Sequence, residues 1–89
     1  MITIRNATGH AVAKGPAMNV VTARAAQVPV ERVDVYPHPD GPALLGVAWK
    51  DGSTGICDWN DSRACLDWLR EQAWAAGRTT VHYPKGARA

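Results

Sequence analysis

A chain of 89 residues with a formal net charge of +2, 46% hydrophobic and 20% charged, describes one small globular domain, of a size that buries only about 60–65% of its unfolded surface. No stretch approaches the roughly 18 apolar residues that a membrane-spanning helix needs, and the start, Met1-Ile-Thr-Ile-Arg-Asn, lacks the charged-then-apolar layout of a secretory signal. Two cysteines are too few for a disulfide scaffold, so the chain reads as cytoplasmic, and its wealth of Ala, Gly and Arg points to a GC-rich bacterial or phage source.

Taken in chain order, Ile2 and Ile4 alternate as in a strand, Ala7-Thr8-Gly9 reads as a turn, and residues 10–14 read as a second strand. Residues 17–27 fit either a short helix or a strand, with Pro16 at a first helical position favouring the helix. Over residues 30–36, Val33 and Val35 alternate against Arg32, Asp34 and Tyr36, the pattern of a half-buried strand. Three prolines and a glycine in residues 37–42 then make a stiff connection.

The strongest local signal is LLGVAWKDGSTGICDW, in which Asp51-Gly52 between two apolar runs predicts a two-residue hairpin turn over residues 44–58. Pairing Lys50 with Ser53 sets Val47 against Ile56, Trp49 against Thr54 and Leu45 against Asp58 on one side of the pleat. The other side carries Gly46, Ala48, Gly55 and Cys57, small residues over which a helix can pack closely. That helix is predicted over residues 61–76, capped by Asn60, Asp61 or Ser62 and stopped by Gly77. At 100° per residue, Ser62, Cys65, Leu66, Trp68, Leu69, Ala73 and Ala76 form its buried stripe, with Arg63, Asp67, Arg70 and Glu71 opposite. Trp74 falls at the centre of the polar side, where a large aromatic either pins a chain end or meets a partner. Residues 79–83 have strand composition and end at Pro84. The expected fold is α+β: a small, mainly antiparallel sheet with one helix, 61–76, packed on one face. Residues 1–84 make a single domain and 85–89 a frayed basic tail.

Charge is unevenly spread. Residues 1–30 carry Arg5, Lys14 and Arg24 and no acid, whereas residues 31–71 carry all eight acids against four cations, a net of −4. The end carries Arg78, Lys85 and Arg88. A nucleic-acid binder concentrates Lys and Arg on one face with few acids nearby, and the acidic middle argues against that class.

Candidate chemistry is sparse. Cys57 and Cys65 with His82 or His38 lack the short ligand spacing by which zinc sites are recognised, and read instead as buried thiols in the seam between sheet and helix. Cys65 stands in the first turn of the helix, where the dipole favours a thiolate, but on the face assigned to the core. Asp58 and Asp61 are explained by capping, and Asp67 and Glu71 by solvation and pairing with Arg63 and Arg70. Gly52-Ser53-Thr54-Gly55 is accounted for by the hairpin. No catalytic, cofactor or metal residue is assigned. The candidate partner-binding residues are Trp74, Arg70, Arg63, Asp67 and Glu71 on the outer helix face, because Trp and Arg dominate interface hot spots. The proline-stiffened 36–42 loop, with Tyr36 and His38, is the second choice.

Residues 53–72, STGICDWNDSRACLDWLREQ, resemble a module of small phage-encoded inhibitors of the anti-CRISPR type. A strand ends in an aromatic (Trp59), an Asp/Ser cap follows (Asp61, Ser62), and a helix carries a Leu-x-Trp-Leu step (Leu66, Trp68, Leu69). The resemblance implies an inhibitor that occludes a surface of a larger bacterial complex; many such inhibitors are strongly acidic, and this chain is mildly basic. The expected function is non-enzymatic binding of a protein partner, with no membrane association. The alternatives are a nucleic-acid-binding domain built on the basic termini, if these converge, and a self-associating protein such as a homodimer.

Overall fold

In the computed structural model, described for residues 1–38, 41–57 and 59–82 and for their side chains except 37–38, 41–43 and 59–61, two helices lie on one face of a six-stranded sheet. Strands β1 (Ile2–Arg5) and β2 (Ala11–Gly15) form an antiparallel pair closed by Asn6, whose Oδ1 accepts from the backbone of Thr8 and His10. The turn residue Gly9, at φ +88°, takes the left-handed conformation that glycine adopts without strain.

Helix α1 (Ala17–Gln27) follows. Pro16 precedes its first residue, and the Pro16 carbonyl accepts from the amide of Val20. Ala17 and Val21, one turn apart, are its buried residues. The chain then runs through β3 (Val30–His38), β4 (Gly41–Trp49) and β5 (Thr54–Cys57) as an antiparallel meander. Helix α2 (Trp59–Arg70) and a 3₁₀ turn (Ala73–Gly77) bring it to β6 (Thr79–Val81), which pairs parallel to β3. The strand order is β2-β1-β5-β4-β3-β6.

The fold is therefore α+β, as expected, with three corrections. The sheet is mixed, because the α2 crossover delivers β6 parallel to its neighbour. Residues 17–27 add a second helix beside the one expected. Finally, α2 ends at Arg70, short of 76. Gln72 turns extended at ψ 133° and its side-chain amide donates to the Trp68 carbonyl at 3.0 Å, supplying one of the partners that helix-end carbonyls lack. Gly77 closes the 3₁₀ turn, not the α-helix.

The hairpin differs from expectation by one residue. Val47 faces Gly55, Gly46 faces Ile56 and Leu45 faces Cys57. The loop has three residues: the Gly52 amide donates to the Trp49 carbonyl at 3.0 Å, and the Trp49 amide to the Ser53 carbonyl at 2.9 Å. Of the loop residues only Gly52 stands at positive φ, +89°, whereas a two-residue turn of the expected type needs it at both central positions. A type I turn followed by a left-handed glycine is what Lys50-Asp51-Gly52 forms, and Asp51 Oδ1 fixes it by accepting from the Ser53 amide at 2.9 Å. The shift parts Ile56 from Val47. The helices cover the apolar side of Leu45, Val47 and Trp49, joined by Cys57, whereas Gly46, expected beneath the helix, lies on the opposite face against Tyr36.

The core lies between the sheet and both helices. Ile2, Ile4, Val33, Val35, Leu45, Val47, Trp49 and Cys57 come from the sheet, Ala17 and Val21 from α1, and Cys65 and Leu69 from α2. Gly55 lets β1 close on it: a Cβ there would stand 2.6 Å from Ile4 Cδ1. Among the described residues, no helix is long and apolar enough to cross a membrane.

Candidate functional site

The predicted residues divide among three places. Arg63, Asp67 and Arg70 come together along one exposed flank of α2 and, with Ser62 and Leu66, line a cavity of about 230 Å³ whose floor is Val35 and Leu45. Glu71 lies just past the helix end, exposed. Trp74 does not join them. It stands on the 3₁₀ turn, half-buried against the core, beside a cavity lined by residues 25–30 and Arg78. There Arg78 Nη1 donates to the Val30 carbonyl at 2.9 Å and the Val33 amide to the Arg78 carbonyl at 2.8 Å, fixing the segment against β3.

Tyr36 lies on the opposite face of the sheet. The expected 36–42 loop is largely strand, since β3 continues to His38 and β4 begins at Gly41. The His38 side chain lies outside the described residues, as do Asp58, Tyr83, Lys85 and Arg88.

Both helices cover one face of the sheet, and the other face carries the features that the sequence did not bring together. Alternation along each strand puts Tyr36, Leu44 and Ile56 on this helix-free face, and they are 41%, 42% and 65% exposed. The strand registers make them neighbours: Tyr36 pairs with Leu44, and Gly46 with Ile56. The Tyr36 ring reaches toward β4 over Gly46, where a Cβ would stand 3.7 Å from its Cε2. On its other side Tyr36 stacks on His82 of the β6 edge, ring centroids 4.8 Å apart and planes 16° from parallel.

Beneath this pair lies Asp34, the buried carboxylate of the face. His82 Nε2 is 2.8 Å from its Oδ1, and Arg32 Nε donates to Oδ2 at 2.7 Å. Burial opposes ionisation of Asp34, but the hydrogen bonds from His82 and Arg32 outweigh it and hold the carboxyl below its ordinary pKa. The cluster fixes the Tyr36 ring by anchoring the histidine on which it stacks.

Cys57 and Cys65 meet in the seam between β5 and α2, both fully buried and neither in a disulfide. Hydrogen bonding with Cys57, then burial, pushes the Cys65 pKa far up, which is the reverse of what a thiolate nucleophile requires. Among the described residues, no group of three or more His, Cys, Asp or Glu side chains is placed to hold a metal ion.

Sequence reasoning missed Leu44 and Ile56 as surface residues. Gly52 held the signal: a left-handed glycine closing a three-residue loop sets the register that parts Ile56 from Leu45, Val47 and Trp49 and puts it beside Gly46 on the open face. Comparison of the chain with family models, curated proteins and solved structures finds no match, so its function rests on the chemistry of these surfaces.

Proposed function

We propose that this chain is a non-enzymatic binding module that docks a protein partner on the helix-free face of its sheet. The observation that carries the reading is Ile56, an aliphatic side chain 65% exposed on a strand flanked by β1 and β4, with Leu44 and Tyr36 beside it. Isolated surface aliphatics are common, but a contiguous apolar group on the one open face of a small sheet marks an interaction surface. An interface centre is poor in charge and rich in aromatic anchors. The α2 flank of Arg63, Asp67, Arg70 and Glu71 offers charge without an exposed apolar centre, and it lies on the helix-covered side of the sheet, away from this group.

A protein partner is favoured over nucleic acid for two reasons. Single-stranded nucleic acid needs open ring faces and free cations, yet Tyr36 gives one ring face to His82, and Arg32, Arg24 and Arg78 are each hydrogen-bonded within the protein. In addition, the basic β1–β2 pair and the β6 end stand at opposite edges of the sheet, five strand spacings apart, or roughly 24 Å. The inhibitor implied by residues 53–72 is a narrower form of the same proposal, in which the partner is a large bacterial complex and docking occludes it.

The test is capture of partners from bacterial lysate, with and without nuclease, by the wild-type chain and by Ile56→Lys. A stoichiometric partner that survives nuclease and is lost with Ile56→Lys, at unchanged melting temperature, supports the proposal. Retention by the variant, loss with nuclease, or an Ile56-dependent oligomer of the chain alone overturns it.

A further inference from the structure

Strand β2 ends the sheet, paired with β1 on one side only, so its outer row of N–H and C=O groups faces away from the sheet. Beside this edge runs α1, and between them lies a groove of about 370 Å³. The strand lines it through Val12, Ala13 and Lys14, and the helix through Val20, Ala23 and Arg24. A bulge puts two residues of β2 against one step of β1, since Ile4 pairs with Ala13 and Arg5 with Ala11. The extra residue is Val12, which is exposed and lines the groove. An edge strand with a helix-walled groove alongside is the arrangement in which an extended peptide adds as a further strand. Its main chain completes the ladder, and alternate side chains enter the groove.

The charge of the groove says which peptide. No acid occurs in residues 1–30. Arg24 is neutralised by Asp51 at 2.8 Å. Lys14 pairs with Thr3 and so stands on the helix-free side of the strand, at the margin of the groove. It makes no ion pair among the described residues and is the uncompensated charge beside an added strand. A second copy of β2 is disfavoured, because a two-fold antiparallel pairing centred on this five-residue strand places both Lys14 side chains on one face of the joint ladder. We infer that the β2–α1 groove binds, by strand addition, an extended peptide segment that alternates small apolar and acidic residues. This edge lies apart from the face of Tyr36, Leu44 and Ile56, and the inference does not depend on a partner docking there.

The probes are two synthetic octapeptides, one alternating valine and glutamate and the other valine and lysine, titrated into the isotope-labelled protein and followed by amide NMR shifts. The valine–glutamate peptide is expected to move the amides of β2 and of the facing side of α1. Its affinity falls roughly tenfold with Lys14→Glu, and by at least as much with Ala23→Trp, which fills the groove from an exposed helix position. Both variants keep the wild-type melting temperature. Absence of shifts at millimolar peptide, shifts centred elsewhere, equal binding of the valine–lysine peptide, or indifference to Lys14→Glu overturns the inference.

Discussion

His82 Nε2 lies 2.8 Å from Asp34 Oδ1, so the last described residue of the chain is tied to β3 through a buried carboxylate that Arg32 also binds. Because the folded state depresses the Asp34 pKa, the carboxylate contributes stability that is present above the ordinary value of 3.8 and is lost as the pH falls below it toward the folded pKa. Asp34→Asn should destabilise the protein by about 1–3 kcal/mol at neutral pH, where it leaves two donors without their charged acceptor. It should also flatten the acid limb of the stability curve. Urea denaturation at pH 7 and pH 3 measures both; an equal deficit at the two pH values would show that the charge plays no part.

The approach of β1 to Gly55 sets a second prediction. A methyl group there meets Ile4 Cδ1 at 2.6 Å and Ile2 Cδ1 at 2.9 Å, and both isoleucines are buried. Gly55→Ala should cost about 1–3 kcal/mol as overpacking, and adding Ile4→Val should restore part of that loss by removing the nearest atom. A double-mutant cycle by chemical denaturation reads the coupling; simple additivity would mean that the strain lies elsewhere.

Trp49 is fully buried, and its Nε1 meets no acceptor among the described residues. Its contribution is then the ring's volume and its contacts, including Arg24, whose guanidinium carbon is 6.0 Å from the ring centroid. Trp49→Ala should cost about 3–5 kcal/mol, and Trp49→Phe, which keeps a ring and removes the unpaired donor, less than about 2 kcal/mol. Equal losses would reveal a hydrogen bond to the indole.

Burial of Cys57 and Cys65 predicts their chemistry as well. Both thiols should resist an aromatic disulfide reagent in the native protein and react together as denaturant unfolds it, since labelling requires the seam between β5 and α2 to open. Rapid native labelling of either residue would contradict its place in the core.

Much of the fold was legible in the sequence. Alternation gave β3 its faces correctly, because Val33 and Val35 differ so plainly from Arg32, Asp34 and Tyr36. The buried stripe of α2 held at Ser62, Cys65 and Leu69 for the same reason. The hairpin register was not legible from Asp51-Gly52 alone, since that dipeptide serves both a two-residue and a three-residue loop. Nor was the end of α2, because Arg70 to Gly77 keeps a helical composition and it is a long-range demand, the pairing of Thr79 with Val33, that turns the chain early. These two errors displaced the candidate site. The first set Ile56 on the side of Leu45, Val47 and Trp49 instead of beside Gly46 on the open face, and the second set Trp74 on the helix beside Arg70.

The central claim, that the open sheet face is the docking surface, is tested most directly by hydroxyl-radical footprinting of the chain alone and in complex with its captured partner. The account predicts that oxidation of Tyr36, Leu44 and Ile56 falls severalfold in the complex, while Arg70 and Glu71 at the end of α2 and the half-buried Trp74 change little. Protection of the α2 flank and Trp74, with Ile56 still oxidised, would contradict it and move the interface to the helical side.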